Sequence, residues 1–192
     1  MFTLGIDPGL SRCGYGFVDD SKELKGPRWK AVAAGVITTS KDLDLPIRLA
    51  ELYKGLSRLM MEYKPEVVVV ERVIFQVNAK TAMSVGQASG LALVAAANLG
   101  VEVIQYSSNE VKQATVGYGA ATKEQVRQMV AKLVGLDVIS GPPDVSDALA
   151  LALCHLSTCG LRKAIDKSLE CQNHQKNQLV DVMVGQKMGE AP

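Results

Sequence analysis

The sequence is poor in aromatic residues, in histidine and in long apolar stretches. Aromatic side chains make up 5% of the 192 residues, and there are two histidines. No stretch reaches the roughly 20 consecutive apolar residues that a transmembrane helix requires. Asp7 and Arg12 interrupt the apolar region that an N-terminal signal peptide would need. These absences argue against a membrane protein and predict a cytoplasmic one.

The sequence also lacks the cysteine pattern of a disulfide framework and a strong excess of one charge. Its four cysteines form no Cys-X-X-Cys pair, so we expect reduced thiols. The cysteines and histidines between Cys154 and His174 fit no usual zinc-ligand spacing. A formal net charge of +1 does not indicate a nucleic-acid-binding protein, but it does not exclude one.

What the sequence does contain is enough apolar surface for one sizeable core. Hydrophobic residues account for 47% of the chain, and the length favours a single domain. Many small residues together with few aromatic ones favour helices packed closely on a sheet, so the predicted class is α/β. We expect residues 1–160 to form this domain. The chain turns polar after Gly160, which predicts a loosely ordered tail over residues 161–192.

Apolar runs and turn residues predict the order of the elements. FTLGID and CGYGFV flank a Pro-Gly turn and predict a β-hairpin, and AVAAGVITT predicts a third strand. EVVVVE is a continuous apolar run typical of a central strand buried on both faces, and VEVIQYS predicts a fifth strand. Periodicity and capping residues predict helices over 46–63, over 78–98, from a cap at Ser108 or Asn109 to 116, over 122–134 and over 143–161.

The helix predicted over 78–98 carries small residues at a spacing of four. Ala82, Gly86 and Gly90 fall on one face, where another helix could approach the backbone closely. That partner is either another helix of the same chain or a second subunit. The sequence leaves both possibilities open.

Four acidic residues stand where the predicted fold brings them together. Asp7 and Glu71 end two strands that should be central and parallel, so both lie at the edge of the sheet where α/β proteins bind ligands. Asp144 and Asp147 lie in the first turn of the last helix. Each acid alone has a structural explanation: it could stabilise a turn, end a strand or complement the helix dipole.

Taken together, the four acids favour a metal site. Clustered carboxylates repel one another and need protons or cations. The ligands are all oxygen, which favours Mg²⁺ or Mn²⁺ over zinc. Two such ions about 4 Å apart can activate water and stabilise a leaving oxygen in phosphodiester hydrolysis.

Four motifs resemble the RuvC family of Holliday-junction resolvases in order and spacing. They are LGIDPGLSRCGYG, the VVVERV…N…GQASG run, VKQATVGYGAATKEQV and PPDVSDALALALCH, and the resemblance covers about residues 1–160. It implies a ribonuclease-H-like mixed five-stranded sheet flanked by helices, and a homodimer. It also implies paired Mg²⁺-dependent nicks in two strands of like polarity at a four-way DNA junction, leaving 5′-phosphate and 3′-hydroxyl ends. RuvA and RuvB, which form the branch-migration complex, are partners by resemblance alone.

The resemblance assigns roles to individual residues. Asp7, Glu71, Asp144 and Asp147 match the catalytic, metal-binding acids of the family, some members of which carry His at the position of Asp144. These acids would hold two Mg²⁺ ions, and we expect Mn²⁺ to substitute.

Other positions match the family's DNA contacts. Lys112 and Lys123 match basic residues near the scissile DNA, although each could be an ordinary solvated lysine. The family often has Phe three residues after the strand-ending Glu, whereas this chain has Ile74 there and Phe75 next to it. Either Phe75 stacks on an unpaired base, or Ile74 acts as an apolar wedge, or Phe75 belongs to the core.

Three other functions remain to be compared with this one. A phosphate-binding ATPase of the actin and sugar-kinase type would need a second domain and a second Gly-rich hairpin, and this chain has neither. A junction-binding protein without catalysis would not need all four acids. A related nuclease acting on other branched DNA or on RNA would share the fold and the metal site.

Overall fold

The computed structural model describes residues 1–20, 27–72 and 79–160. Its elements, in chain order, are β1 (Phe2–Asp7), β2 (Arg12–Asp20), β3 (Trp29–Thr38), α1 (Leu45–Tyr63), β4 (Val67–Glu71), α2 (Ala79–Asn98), β5 (Glu102–Tyr106), α3 (Ser108–Val116), α4 (Lys123–Leu133) and α5 (143–160). The predicted order of strands and helices is confirmed. The polar tail predicted over 161–192 lies outside the described residues. Among the described helices, none has the length and apolar character needed to span a bilayer.

The five strands form one mixed sheet in the order β3-β2-β1-β4-β5. β1 and β2 pair antiparallel through the predicted hairpin, whereas β4 runs parallel to β1 and β5 runs parallel to β4. In the parallel pair Ile6 lies opposite Val70. The predicted fold class is therefore confirmed, and the residues that follow Ile6 and Val70 lie side by side at one edge of the sheet.

Both faces of the sheet are covered by apolar side chains. β4 alternates between them: Val68 and Val70 pack with residues of α1 and α2, whereas Val67 and Val69 pack with residues of α4 and α5. All four valines are buried. This explains why the strand has a continuous apolar sequence, since a strand covered on both faces has no polar side to expose.

Two glycines let α5 lie directly on the β-hairpin. A Cβ atom at Gly5 would collide with the carbonyl oxygen of Ala148 and lie 2.9 Å from the backbone nitrogen of Ala152. A Cβ atom at Gly14 would collide with the carbonyl oxygen of Asp144. The backbone of α5 therefore contacts the backbone of β1 and β2 without a layer of side chains between them.

Two capping boxes define the starts of α3 and α4. The backbone N–H of Gln125 donates to Thr122 Oγ1 at 3.2 Å and that of Thr122 donates to Gln125 Oε1 at 2.9 Å, as the sequence predicts. The cap predicted at Ser108 or Asn109 is wrong, because α3 is capped by Ser107. Glu110 lies three residues after Ser107 and accepts its backbone N–H at 2.7 Å, which completes the box one residue earlier.

The small-residue face of α2 is open in the described part of the chain. A Cβ atom at Gly86 or Gly90 would meet no heavy atom within 4 Å. Met83 and Val94, which follow the same helical face, are 64% and 51% exposed. Packing of this face against another described helix of the same chain is therefore not found.

Candidate active site

The sheet brings Asp7 and Glu71 together at its carboxyl edge. Each is the last residue of its strand, and the register of β1 and β4 makes them neighbours. A hydrogen bond joins the two side chains and lowers the pKa of Glu71, but burial raises that pKa more. The two strand-ending acids therefore lie close enough to influence each other's ionisation, and burial favours the protonated form of Glu71.

Asp7 is the most strongly perturbed of these acids. Burial is the main cause that raises the pKa of its carboxyl from 3.8 to about 7, and the charges of Glu71, Asp147 and Asp144 contribute to this shift, in that order of importance. Lys123 acts in the opposite direction. A carboxyl group with such a pKa is still largely protonated in mildly acidic solution, and a bound cation would displace the proton.

A cavity of about 130 Å³ opens at this edge of the sheet. Five of the residues selected from the sequence line it, three acidic and two basic: Asp7, Glu71, Asp147, Lys112 and Lys123. The wall is completed by Ser108 and by apolar residues of α3, α4 and α5. The structure therefore places carboxylates and ammonium groups around one small space.

Asp147 reaches the cavity from the first turns of α5 and meets Lys123 there. Lys123 Nζ lies 3.3 Å from Asp147 Oδ2. The pKa of Lys123 is raised, chiefly by the charge of Asp147. Lys123 is the first residue of α4, so the capping box at Thr122 sets the position of its backbone beside the cavity.

Asp144 lies beside the cavity and is not part of its lining. Its Oδ2 atom lies 3.4 Å from Arg12 Nε, which makes an ion pair. The same oxygen is buried and accepts no hydrogen bond from the described residues. The prediction that four acids form one set thus holds geometrically for three of them, while the fourth is paired with a residue of β2.

The acids fit an oxygen-coordinated divalent cation in their chemistry. Asp7, Glu71 and Asp147 supply only carboxylate oxygens to the cavity, and the buried Oδ2 of Asp144 has unused capacity to accept a ligand. Within residues 1–20, 27–72 and 79–160, however, no three acidic, histidine or cysteine side chains converge closely enough to hold an ion as they stand. Binding would therefore require side-chain rotation, most of all by Asp144.

Arg12 and Ser108 were not selected from the sequence as site residues. Arg12 begins β2, and an antiparallel hairpin brings the start of β2 beside the end of β1, so the predicted hairpin contained the signal. Ser108 follows β5, whose carboxyl end lies at the same edge as Glu71. Ile74 and Phe75, proposed from the resemblance as base contacts, lie outside the described residues.

The cysteines within the described residues do not line this cavity. Cys13 is buried, and burial is the main cause that raises the pKa of its thiol to about 12. Cys154 Sγ lies 3.7 Å from the carbonyl oxygen of Glu110, and His155 Nδ1 lies 3.1 Å from the hydroxyl of Tyr106. Cys171 lies outside the described residues.

Comparison with known proteins identifies the family. Residues 3–155 match the family model described as crossover junction endodeoxyribonuclease RuvC. The protein of that name from Syntrophomonas wolfei is 44% identical over 168 residues, which cover 88% of this chain and 95% of that protein.

Two solved structures agree with this match. The RuvC structure of Thermus thermophilus superposes with a TM-score of 0.77 at 34% identity and covers 84% of this chain and 96% of that one. The same protein in complex with a Holliday junction substrate gives 0.74 at 32% identity, with the same coverage. This chain therefore belongs to the RuvC family of crossover junction endodeoxyribonucleases.

Proposed function

We propose that this protein resolves Holliday junctions through paired metal-dependent nicks in two strands of like polarity during DNA recombination and repair. The observation that carries the proposal is the cavity shared by Asp7, Glu71, Asp147, Lys112 and Lys123 in a chain of this nuclease family. The relative from Thermus thermophilus has been captured with a Holliday junction substrate. A nuclease site needs groups that hold divalent cations next to groups that attract phosphate, and this cavity supplies both.

Asp7, Glu71, Asp144 and Asp147 are the proposed catalytic ligands of two Mg²⁺ ions, with Mn²⁺ as a substitute. The bound ions would supply an activated water and stabilise the leaving oxygen, which leaves 5′-phosphate and 3′-hydroxyl ends suited to ligation. Asp7 interacts electrostatically with the other three acids, since the charge of each raises its pKa. It is therefore the acid whose ionisation depends most on a bound cation.

Lys112 and Lys123 are the proposed contacts to the DNA backbone near the scissile bond. Both line the cavity, and the side chain of Lys123 is largely exposed. Lys123 also stands in the first turn of α4, where free backbone N–H groups add to its attraction for a phosphate. Ile74 and Phe75 remain proposed contacts to unstacked bases, on the family resemblance alone.

We further propose that the protein acts as a homodimer. The open face of α2, with Gly86, Gly90 and the exposed Met83 and Val94, is apolar and lets a second backbone approach closely. A twofold axis relates two identical sites, which suits a junction whose two cut strands are related by approximate twofold symmetry. Pairing of the nicks would follow from this symmetry.

Residues 1–160 are the proposed nuclease domain. The support is the compact unit formed by Met1–Ser157 and the family match over residues 3–155. The junction substrate of a recombination enzyme is chromosomal, so the proposed location is the cytoplasm, and the proposed partners are RuvA and RuvB.

A cleavage assay with three substrates tests the proposed function. The purified protein is incubated in Mg²⁺ with a synthetic four-way junction, with a linear duplex of the same sequence and with an RNA–DNA hybrid. We expect symmetric nicks in the junction and at least 100-fold slower cleavage of the other two. Equal cleavage of all three substrates would contradict junction resolution and favour a related nuclease of broader specificity. Junction binding without nicks would contradict the catalytic assignment.

A further inference from the structure

Each acid of α5 has a basic partner from a different element. Asp147 lies 3.3 Å from Lys123 of α4, and Asp144 lies 3.4 Å from Arg12 of β2. Lys123 lines the cavity together with Asp147, so that pair lies inside the site. Neither Arg12 nor Asp144 lines it. In the Arg12–Asp144 pair, Asp144 is therefore held beside the cavity rather than in it.

The Arg12–Asp144 pair is unequal in exposure and in hydrogen bonding. The side chain of Arg12 is 58% exposed, whereas that of Asp144 is 17% exposed. Asp144 Oδ2 makes the ion pair but has no hydrogen bond from the described residues. Arg12 could therefore change partner without leaving solvent, and Asp144 has an unsatisfied oxygen available to another cation.

Arg12 also stands where a DNA backbone would pass. It begins β2, so it lies at the edge of the sheet that carries Asp7, since Asp7 pairs with Gly14 in the hairpin. A guanidinium group binds phosphate through two parallel hydrogen bonds, which the geometry with Asp144 does not provide. A phosphate of the bound strand is therefore a competitor for Arg12.

We propose that Arg12 is a positioning residue that holds Asp144 beside the cavity and releases it when a DNA phosphate binds the guanidinium. This inference rests on the proposed function. Released Asp144 rotates toward Asp7 and Asp147 and completes the ligand set. The full set of four ligands is then assembled only on bound substrate, whereas in the described residues no three acidic, histidine or cysteine side chains converge as they stand.

A metal titration without DNA tests the first half of this exchange. Mn²⁺ is titrated into the metal-free full-length protein, and binding is followed by calorimetry for the wild type, Arg12→Gln, Asp144→Asn and the double variant. We expect Arg12→Gln to tighten Mn²⁺ binding about tenfold, because Asp144 is freed. In the Asp144→Asn background the same substitution should change affinity less than twofold. An equal gain in both backgrounds would show simple charge removal and overturn the proposal, as would no gain in either.

The chain offers a matched control for the loss of charge. Arg28 forms an ion pair of 3.2 Å with Asp20, at the opposite end of β2. Nine residues of strand place this pair roughly 25 Å from Arg12. Arg28→Gln should leave Mn²⁺ affinity unchanged. Arg12→Lys keeps the charge and should bind Mn²⁺ like the wild type, which separates charge pairing from a folding defect.

Binding of a four-way junction in EDTA tests the second half, since nothing is cleaved without metal. We expect Asp144→Asn to tighten junction binding several-fold, because Arg12 becomes free to bind a phosphate. This gain should disappear in the Arg12→Gln background. Arg12→Gln alone should lower the slope of log affinity against log salt by about 0.9 per site, whereas Arg28→Gln should not. An undiminished gain in the double variant would overturn the exchange.

The two proposals fail in different ways. The wild type could cut junctions while the effects of Arg12→Gln and Asp144→Asn on Mn²⁺ affinity and on junction affinity simply add in the double variant. In that case only the proposed role of Arg12 is wrong. If the wild type neither binds nor cuts a junction, the proposed function itself is wrong, whatever the Mn²⁺ titration shows.

Discussion

The strand acids and the helix acids of this site compensate their charges in different ways. Asp7 and Glu71 end neighbouring strands, are joined by a hydrogen bond and have raised pKa values because they are buried. Asp144 and Asp147 belong to α5, and each lies within 3.4 Å of a basic side chain. The raised pKa values favour protonation of the first pair, whereas cations of the protein balance the second. A divalent cation bound by all four acids would compete with a proton on one side of the site and with an arginine or lysine on the other.

Removing Asp7, the acid that ends strand β1, should have the largest effect on the site. We expect Asp7→Asn to slow junction nicking in Mg²⁺ by at least 10³-fold, because the remaining acids lose the group to which all of them couple. Junction affinity measured in EDTA should change less than threefold, since the lysines are intact. Asp20→Asn, at the far end of β2, is the matched control and should cut normally. Full activity of Asp7→Asn would remove Asp7 from the chemistry.

A side chain that pushes α5 away from β1, and so separates the two acid pairs, should destabilise the folded protein. Gly5→Ala places a methyl group against the carbonyl oxygen of Ala148, and we expect the free energy of unfolding to fall by about 3 kcal/mol. Urea denaturation monitored by circular dichroism measures this change. Gly119→Ala is the control, because a Cβ atom there meets nothing within 4 Å. Equal stability of both variants would mean that α5 does not lie on β1 as described.

The proton held by the strand acids predicts how stability depends on pH. The pKa of Asp7 is about 7 in the folded protein and near 3.8 in the unfolded chain. Between these values the folded state binds more protons than the unfolded state, so the free energy of unfolding must fall as pH rises from 4 to 7. The expected contribution of Asp7 is on the order of 2–4 kcal/mol. Above pH 7 the effect levels off.

This dependence can be isolated by comparing two proteins. Urea unfolding in EDTA between pH 4 and pH 8 should show the decline in the wild type and a flatter profile in Asp7→Asn. Mg²⁺ added at pH 8 should restore stability to the wild type more than to the variant. Parallel pH profiles for the two proteins would argue against a buried proton on Asp7.

The smallest expected effect concerns the cation on the helix side. Lys123→Gln removes the ammonium group 3.3 Å from Asp147, so nicking should slow about tenfold at saturating Mg²⁺ because a phosphate contact is lost. The Mg²⁺ concentration for half-maximal activity should fall, since Asp147 is no longer paired. Lys132→Gln, near the other end of α4, serves as the control. A higher Mg²⁺ requirement in Lys123→Gln would contradict competition between lysine and metal.

Sequence alone predicted the strand side of the site better than the helix side. Strand ends follow from apolar runs, and parallel pairing then brings Asp7 and Glu71 together without knowledge of any side chain. The pairing of Asp144 with Arg12 depends on how α5 is rotated over the hairpin, which is fixed by Gly5 and Gly14. The periodicity of apolar residues does not predict how α5 is rotated, because the rotation arises from contacts between elements distant in sequence.

The predicted start of α3 was wrong because the choice of capping residue also depends on a contact, here one between neighbouring residues. Ser107, Ser108 and Asn109 are all good capping residues, so composition does not decide among them. Glu110 decides, because it completes a box with the residue three positions earlier. The choice also matters for the cavity, since it leaves Ser108 within the helix and in the cavity wall.

The direct contact between α5 and the hairpin makes the spacing of the acids a property of the main chain. Side-chain layers adjust when a core residue is exchanged, but main-chain atoms in van der Waals contact have little room to move. Substitutions elsewhere in the core should therefore leave the distance between the two acid pairs nearly constant while the sequence drifts. Variants with altered metal spacing, for example to accommodate a larger ion, should be sought at Gly5 and Gly14 rather than at the acids.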